Sequence, residues 1–177
     1  MKHISILVPR GAVALGCIEG PFILFNKSNE FLASMDKAPL FQVQLVGLSE
    51  ESQEYHRIFS VKPDCTVDEV KHTDLIIIPA VNGDMHDVID QNKDFFPWIR
   101  NQHAQGAEVA SLCVGAFLLA GTGLLHGKKC STHWMAVNTF KEMFPDVHLV
   151  SEKIITDEDG IYSSGGANSF WNLLLYL

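Results

Sequence analysis

The sequence predicts an α/β fold built on an open, mostly parallel sheet with helices on both faces. Three runs, "HISILVP" (3–9), "DLIIIPA" (74–80) and "AEVASL" (107–112), are aliphatic with little polar alternation, as strands buried on both faces are. Helical patterns separate them, and this alternation through nearly the whole chain favours parallel strands joined by helical crossovers. With 177 residues, 47% of them hydrophobic, the chain can bury one substantial core, so residues 1–177 are expected to form one domain.

Taken in order, "HISILVP" is expected to form a central strand. In "EGPFILFNKSNEFLASM" (19–35), Pro21 suits a first helical turn, and Phe22, Phe25, Leu32 and Met35 roughly follow helical spacing. "FQVQLVGL" (41–48) alternates like a strand and "RIFSV" (57–61) predicts another, while "TVDE" (66–69) has the form of a capping box opening a short helix. The segment 81–106 predicts helical pieces broken near Asn92 and stopped at Gly106. Past the strand at 107–112, "VGAFLLAGTGLL" (114–125) and "THWMAVNTFKEMF" (132–144) read as helices, the second halted by Pro145. "HLVSE" (148–152) and "IITDEDGIYSSGG" (154–166) carry strand signals, the latter turning at Asp159-Gly160. The closing "FWNLLLYL" is an apolar helical pattern without a polar last turn or a Gly or Asn stop. It reads either as a helix with more chain after it or as a terminal helix tucked into the core.

A formal net charge of −8, with no Lys/Arg-rich stretch, makes this chain by itself a poor match for nucleic-acid phosphates. Four cysteines without a CxxC pair, and a Met1 that leads straight into a strand pattern, fit a reducing cytoplasm. The longest apolar runs fall short of the ~20 residues of a membrane span. His126 and His133 lack helical metal-pair spacing and no ligand cluster accompanies them, so neither a metal nor another cofactor is expected. "SSGG" (163–166) lacks the GxGxxG spacing of a nucleotide loop and reads as a tight turn.

Chemistry points to Cys113, at the seam between "AEVASL" and the helix that follows. Ligands of open α/β sheets bind where strand carboxyl ends meet helix N-termini. Small neighbours, Ser111 and Gly115, permit a sharp turn there, and a helix N-terminus favours thiolate over thiol, which predicts a lowered pKa. The alternative is a small hydrophobe that simply packs. His133, in "CSTHW" (130–134), precedes a predicted helix and is the candidate proton-transfer partner. Trp134 beside it either walls the pocket or packs in the core.

"ASLCVGAFLLAGTGLLHGKKCSTHW" resembles the nucleophile segment of the ThiJ/PfpI superfamily, whose fold is flavodoxin-like and similar to class I glutamine amidotransferases. More narrowly it is similar to the amino-terminal domain of GlxA-type regulators of the AraC family. "ISILVPRGAVALGCIEGPFILFN", "IIIPAVNGD" and "SSGGANSFWNLLLYL" extend the resemblance over nearly the whole chain. The resemblance implies Cys113 as nucleophile, His133 beside it, and backbone N–H groups of Gly83 and Val114 as oxyanion holders. It implies an acid from the first helix as well, but Cys17 stands where an isocyanide hydratase carries its aspartate. Glu19 is the nearest carboxylate, two residues on and so about 200° around a helix. It can serve only if the helix starts later or the chain bends at Gly20-Pro21; otherwise it is a helix N-terminal carboxylate favoured by the macrodipole.

Three functions follow from the resemblance. One is the effector-binding and dimerisation domain of a GlxA-type transcriptional regulator, homodimeric, binding a small-molecule effector beside Cys113 and reaching DNA only through a carboxyl-terminal helix-turn-helix domain absent from this chain. Another is a cysteine-dependent hydratase or amidase acting on a small electrophile through Cys113 and His133. The last is a catalytically silent dimer-forming module.

Overall fold

The computed structural model describes residues 1–55, 57–166 and 168–177. Among the described residues, seven strands make the central sheet: β1 (Lys2–Leu7), β2 (Phe41–Gly47), β3 (Cys65–Thr66), β4 (Leu75–Ile78), β5 (Glu108–Leu112), β6 (Ile155–Asp157) and β7 (Ile161–Ser164), in the order β6-β7-β5-β4-β1-β2-β3. All neighbours run parallel except β6 and β7, which form an antiparallel edge hairpin turning through Asp159 and Gly160, both at positive φ. The apolar runs are buried as expected: Ile76, Ile77 and Ile78 of β4 lie between Ile4 and Ile6 of β1 and Val109 and Ala110 of β5.

Helices α1 (Gly16–Ser34), α2 (Met85–Asn92), α3 (Phe95–Ala104), α4 (Ala116–Gly121), α5 (Val137–Met143) and α6 (Ser169–Tyr176) cover the sheet. α1 packs on β2 and against α6, while α2 packs on α4, and α3 and α4 pack on β5. The doubly covered parallel sheet is thus the predicted fold class. Two local expectations are corrected. Helix α1 begins at Gly16, so Pro21 is its sixth residue and not in its first turn. Only the first four N–H groups of a helix lack an internal partner, so Pro21 removes one bond just inside that limit. At 66–69 no helix forms: the Glu69 carboxylate does accept from the Thr66 N–H (2.7 Å), but a turn follows instead. The strand signals at 57–61 and 148–152 form two-stranded pairs outside the sheet, Phe59–Val61 with Gln53–Tyr55 and His148–Leu149 with Lys129–Cys130.

The connection after β1 is held in place by two devices. Ala12 and Val13 pair antiparallel with Asn82 and Val81, which brings it against the connection after β4. Asn92, fully buried at the end of α2, accepts from the Arg10 N–H (2.8 Å) and donates to the Arg10 carbonyl (3.1 Å). These contacts set one wall of the cavity described next. Among the described residues, no helix is long and apolar enough to cross a membrane.

Candidate functional site

The chain leaves β1 toward β2 on one side and returns at β4 on the other, which opens a crevice at the carboxyl ends of these strands. A cavity of about 640 Å³ occupies it, lined after β1 by Ala14, Gly16 and Cys17, after β4 by Ala80 and Asn82 to Met85, and after β5 by Cys113, Val114 and Phe117. His133, Met135, Ala136 and Thr139 from the start of α5, and Phe170 from α6, complete it. That volume suits a small organic molecule.

Cys113 sits in the turn between β5 and α4 with φ +55°, a left-handed conformation that costs a non-glycine residue about 1–3 kcal/mol. Two contacts hold it there and a third anchors the neighbouring segment. Its N–H donates to Ser164 Oγ (3.4 Å), its carbonyl accepts from Thr132 Oγ1 (3.2 Å), and the Ser131 N–H donates to Ser163 Oγ (2.7 Å), which fixes the 130–133 segment across β7. Gly115 brings the turn onto β4: a Cβ there would lie 2.6 Å from the carbonyl oxygens of both Ile78 and Pro79.

The expected lowering of the Cys113 pKa is not what the surroundings produce. α4 is six residues long and starts only after a 3-10 turn at Cys113–Gly115, so a full helix terminus does not face the sulfur. Cys113 is 7% exposed, and burial pushes its thiol above the ordinary value, partly offset by the Val114 backbone N–H beside it. Cys17 is raised to about 11, first by burial and further by the charge of Cys113, against the lowering effect of the Ala80 backbone. Alkylation of Cys113 by iodoacetamide, read by peptide mass, is therefore expected to be slow at pH 7 and still accelerating beyond pH ~8.5, the ordinary thiol range. A rate that levels off below that pH would contradict the burial argument.

Of the residues singled out in the sequence, Cys113, His133, Gly83 and Val114 come together on the cavity. Glu19 does not: with α1 starting early at Gly16, Cys17 faces the cavity and Glu19 lies exposed on the far side of the helix. Trp134 is neither pocket wall nor core; it is 71% exposed, tilted over the His133 ring at 5.7 Å, while its neighbour Met135 lines the cavity. Phe117, Phe170 and Asp84 went unnoticed in the sequence. Asp84 is the one carboxylate among the described lining residues, and its Oδ1 caps α2 by accepting from the N–H groups of His86 (2.9 Å) and Asp87 (3.3 Å).

His133 is half-buried and caps its own turn, Nδ1 accepting from the Met135 N–H (3.3 Å). That bond places the proton of the neutral ring on Nε2, so the free edge of the imidazole is a donor. To act as a base toward Cys113, the ring must move its proton to Nδ1 and give up the cap. Among the described residues, no group of three or more His, Cys, Asp or Glu side chains is placed to hold a metal.

The sequence profile of the DJ-1/PfpI family matches residues 30–176. The HTH-type transcriptional regulator GbdR of Pseudomonas aeruginosa is 30% identical over 106 residues, which are 60% of this chain and 28% of the regulator. The isonitrile hydratase of Pseudomonas putida is 33% identical over 109 residues, 60% of this chain and 44% of the hydratase. The chain thus spans less than half the length of these curated relatives. The crystal structure of a Vibrio parahaemolyticus protein superposes with a TM-score of 0.85 at 24% identity, covering 99% of this chain and 91% of that one; the likeness is one of fold.

Proposed function

Since the chain belongs to the DJ-1/PfpI family and has relatives among HTH-type transcriptional regulators, we propose that it is the effector-binding and dimerisation domain of an AraC-family regulator of the GlxA type. On this reading it works in the cytoplasm as a homodimer, the cavity takes a small-molecule effector, and DNA is contacted by a helix-turn-helix domain elsewhere in the protein. Cys113, His133, Gly83 and Val114 then recognise the effector, the backbone N–H groups and His133 Nε2 offering donors to its polar atoms.

The observation that carries the reading is the capped state of His133. A hydratase needs a base for the Cys113 proton, and here the ring's lone pair is spent on Met135 while burial disfavours the Cys113 thiolate. The first-helix acid is absent too, since Cys17 occupies its place and Glu19 faces away. Recognition needs none of these groups ionised.

A thermal-shift screen of small metabolites tests it. A true effector at about 100 times its Kd adds about 2.7 kcal/mol, or roughly 5–11 °C in Tm for a chain of this size. Thr139→Trp, an exposed position on the cavity wall, should block the mouth, leaving the free protein's Tm unchanged while abolishing the shift. A shift that persists in Thr139→Trp would place binding elsewhere.

The hydratase reading has one observation in its favour, the joint presence of Cys113 and His133 on one cavity together with the likeness to an isonitrile hydratase. It requires the His133 cap to open.

A further inference from the structure

Two thiols face the same cavity from separate elements, Cys113 from the β5–α4 turn and Cys17 from the first turn of α1. Both are buried, and both are free in this structure. The other two cysteines do not share the site: Cys130 is fully buried and bonded to the carbonyl of Ser131, and Cys65 lies on the edge strand β3. Of the four cysteines, Cys17 and Cys113 are the two that line this cavity.

We propose that Cys17 and Cys113 are a redox pair that closes into a reversible disulfide across the cavity, joining the start of α1 to the β5–α4 turn. The oxidant class is a hydroperoxide. The Cys113 thiolate attacks the peroxide, the O–O bond breaks, and Cys113 becomes a sulfenic acid as water or an alcohol leaves with the proton. The Cys17 sulfur then attacks the Cys113 sulfur, the S–O bond breaks, and a second water carries away the Cys17 proton. Overall two thiols are oxidised by two electrons and one peroxide is reduced.

The site has the two parts such a chemistry needs. A sulfenic acid on a buried side chain is sheltered from bulk reductants long enough to meet a second thiol, and Cys17 is the thiol that shares the cavity. The cavity lets a small peroxide reach the pair although each side chain is buried. Burial also sets the tempo: because it disfavours both thiolates, oxidation is slow at neutral pH and quickens as pH rises. It slows reduction for the same reason, since the departing thiolate is a poor leaving group. The closed form occupies space that an effector would use, so the pair would act as a latch on the cavity. That last consequence rests on the effector-binding reading; the disulfide itself does not.

The experiment uses the whole chain, treated with hydrogen peroxide at pH 8.5, then alkylated after denaturation and digested without reductant. The expected result is a linked pair of peptides carrying Cys17 and Cys113, about 2 Da lighter than their sum and separated by dithiothreitol. In Cys17→Ser, dimedone trapping of Cys113 sulfenic acid should rise about tenfold over the parent chain, because the thiol that consumes it is gone. Denatured without reductant, the oxidised protein should keep the 19.7 kDa mass of a single chain, which separates the pair from cross-linking between chains. Sulfinic acid on Cys113 with Cys17 still alkylated overturns the proposal, and so does a chain with both thiols unreacted. Neither outcome touches the effector reading, whose own test is the Thr139→Trp thermal shift.

Discussion

Gly115→Val is expected to cost about 4 kcal/mol and lower Tm by roughly 8–16 °C, measured by thermal unfolding against the parent chain. The reason is backbone meeting backbone. The added Cβ would sit 2.6 Å from two carbonyl oxygens at the end of β4, and neither Ile78 nor Pro79 can turn away as a side chain would. Relief requires the β5–α4 turn to lift off the sheet, and that turn carries Cys113 at its strained φ. The variant should therefore also lose cavity binding. Gly16→Ala is the control: nothing lies within 4 Å of its added Cβ and its φ is not in the left-handed region, so stability should be unchanged or slightly higher. A Gly115→Val chain as stable as Gly16→Ala would mean that the turn is not packed as described.

Phe117→Ala is expected to cost about 3–5 kcal/mol, the range for removing a fully buried phenylalanine. Phe117 has no exposed surface and joins two regions at once. Its ring meets Phe140 edge-on at 5.0 Å and Phe144 at 6.2 Å, tying α4 to α5, while another part of it lines the cavity. The loss should appear as a lower midpoint in urea with an unchanged slope, since the fold opens as one unit. Phe117→Leu should recover most of the stability but leave an altered cavity, so effector binding should fall further than stability does. Equal losses in both would place Phe117 in the core alone.

The strands were the most legible part of the chain. β1, β4 and β5 are buried on both faces, so apart from Ser5 and Ser111 their buried positions are all apolar. The short strands were not legible in this way. Phe59–Val61 and His148–Leu149 carry ordinary β residues, and whether such a segment joins the main sheet depends on partners distant in sequence. "TVDE" shows the same limit, because a capping side chain can satisfy the Thr66 N–H without a helix following it.

The site divides along similar lines. Cys113 could be found because a strand carboxyl end, small flanking residues and a helix start coincide at one position. Glu19 could be placed only by knowing where α1 begins, and the Pro21 signal puts that start too late; the N–H groups of Cys17, Ile18 and Glu19 instead bond to Ala14 and Leu15. The tie between buried Asn92 and Arg10 bridges 82 positions, and a lone asparagine at the end of a helical pattern gives no sign of it. Nor does a sequence reveal that His133 spends Nδ1 on Met135, which is what argues for recognition over turnover.

The central claim is that the Cys113 cavity recognises a small molecule without converting it. Incubating the chain with cyclohexyl isocyanide and following the formamide product by mass spectrometry tests this most directly. The expected result is less than about one formamide per chain above the buffer reaction, with no change in Cys113→Ser. Many turnovers per chain, abolished in Cys113→Ser and in His133→Ala, would contradict it and make this protein a cysteine-dependent hydratase.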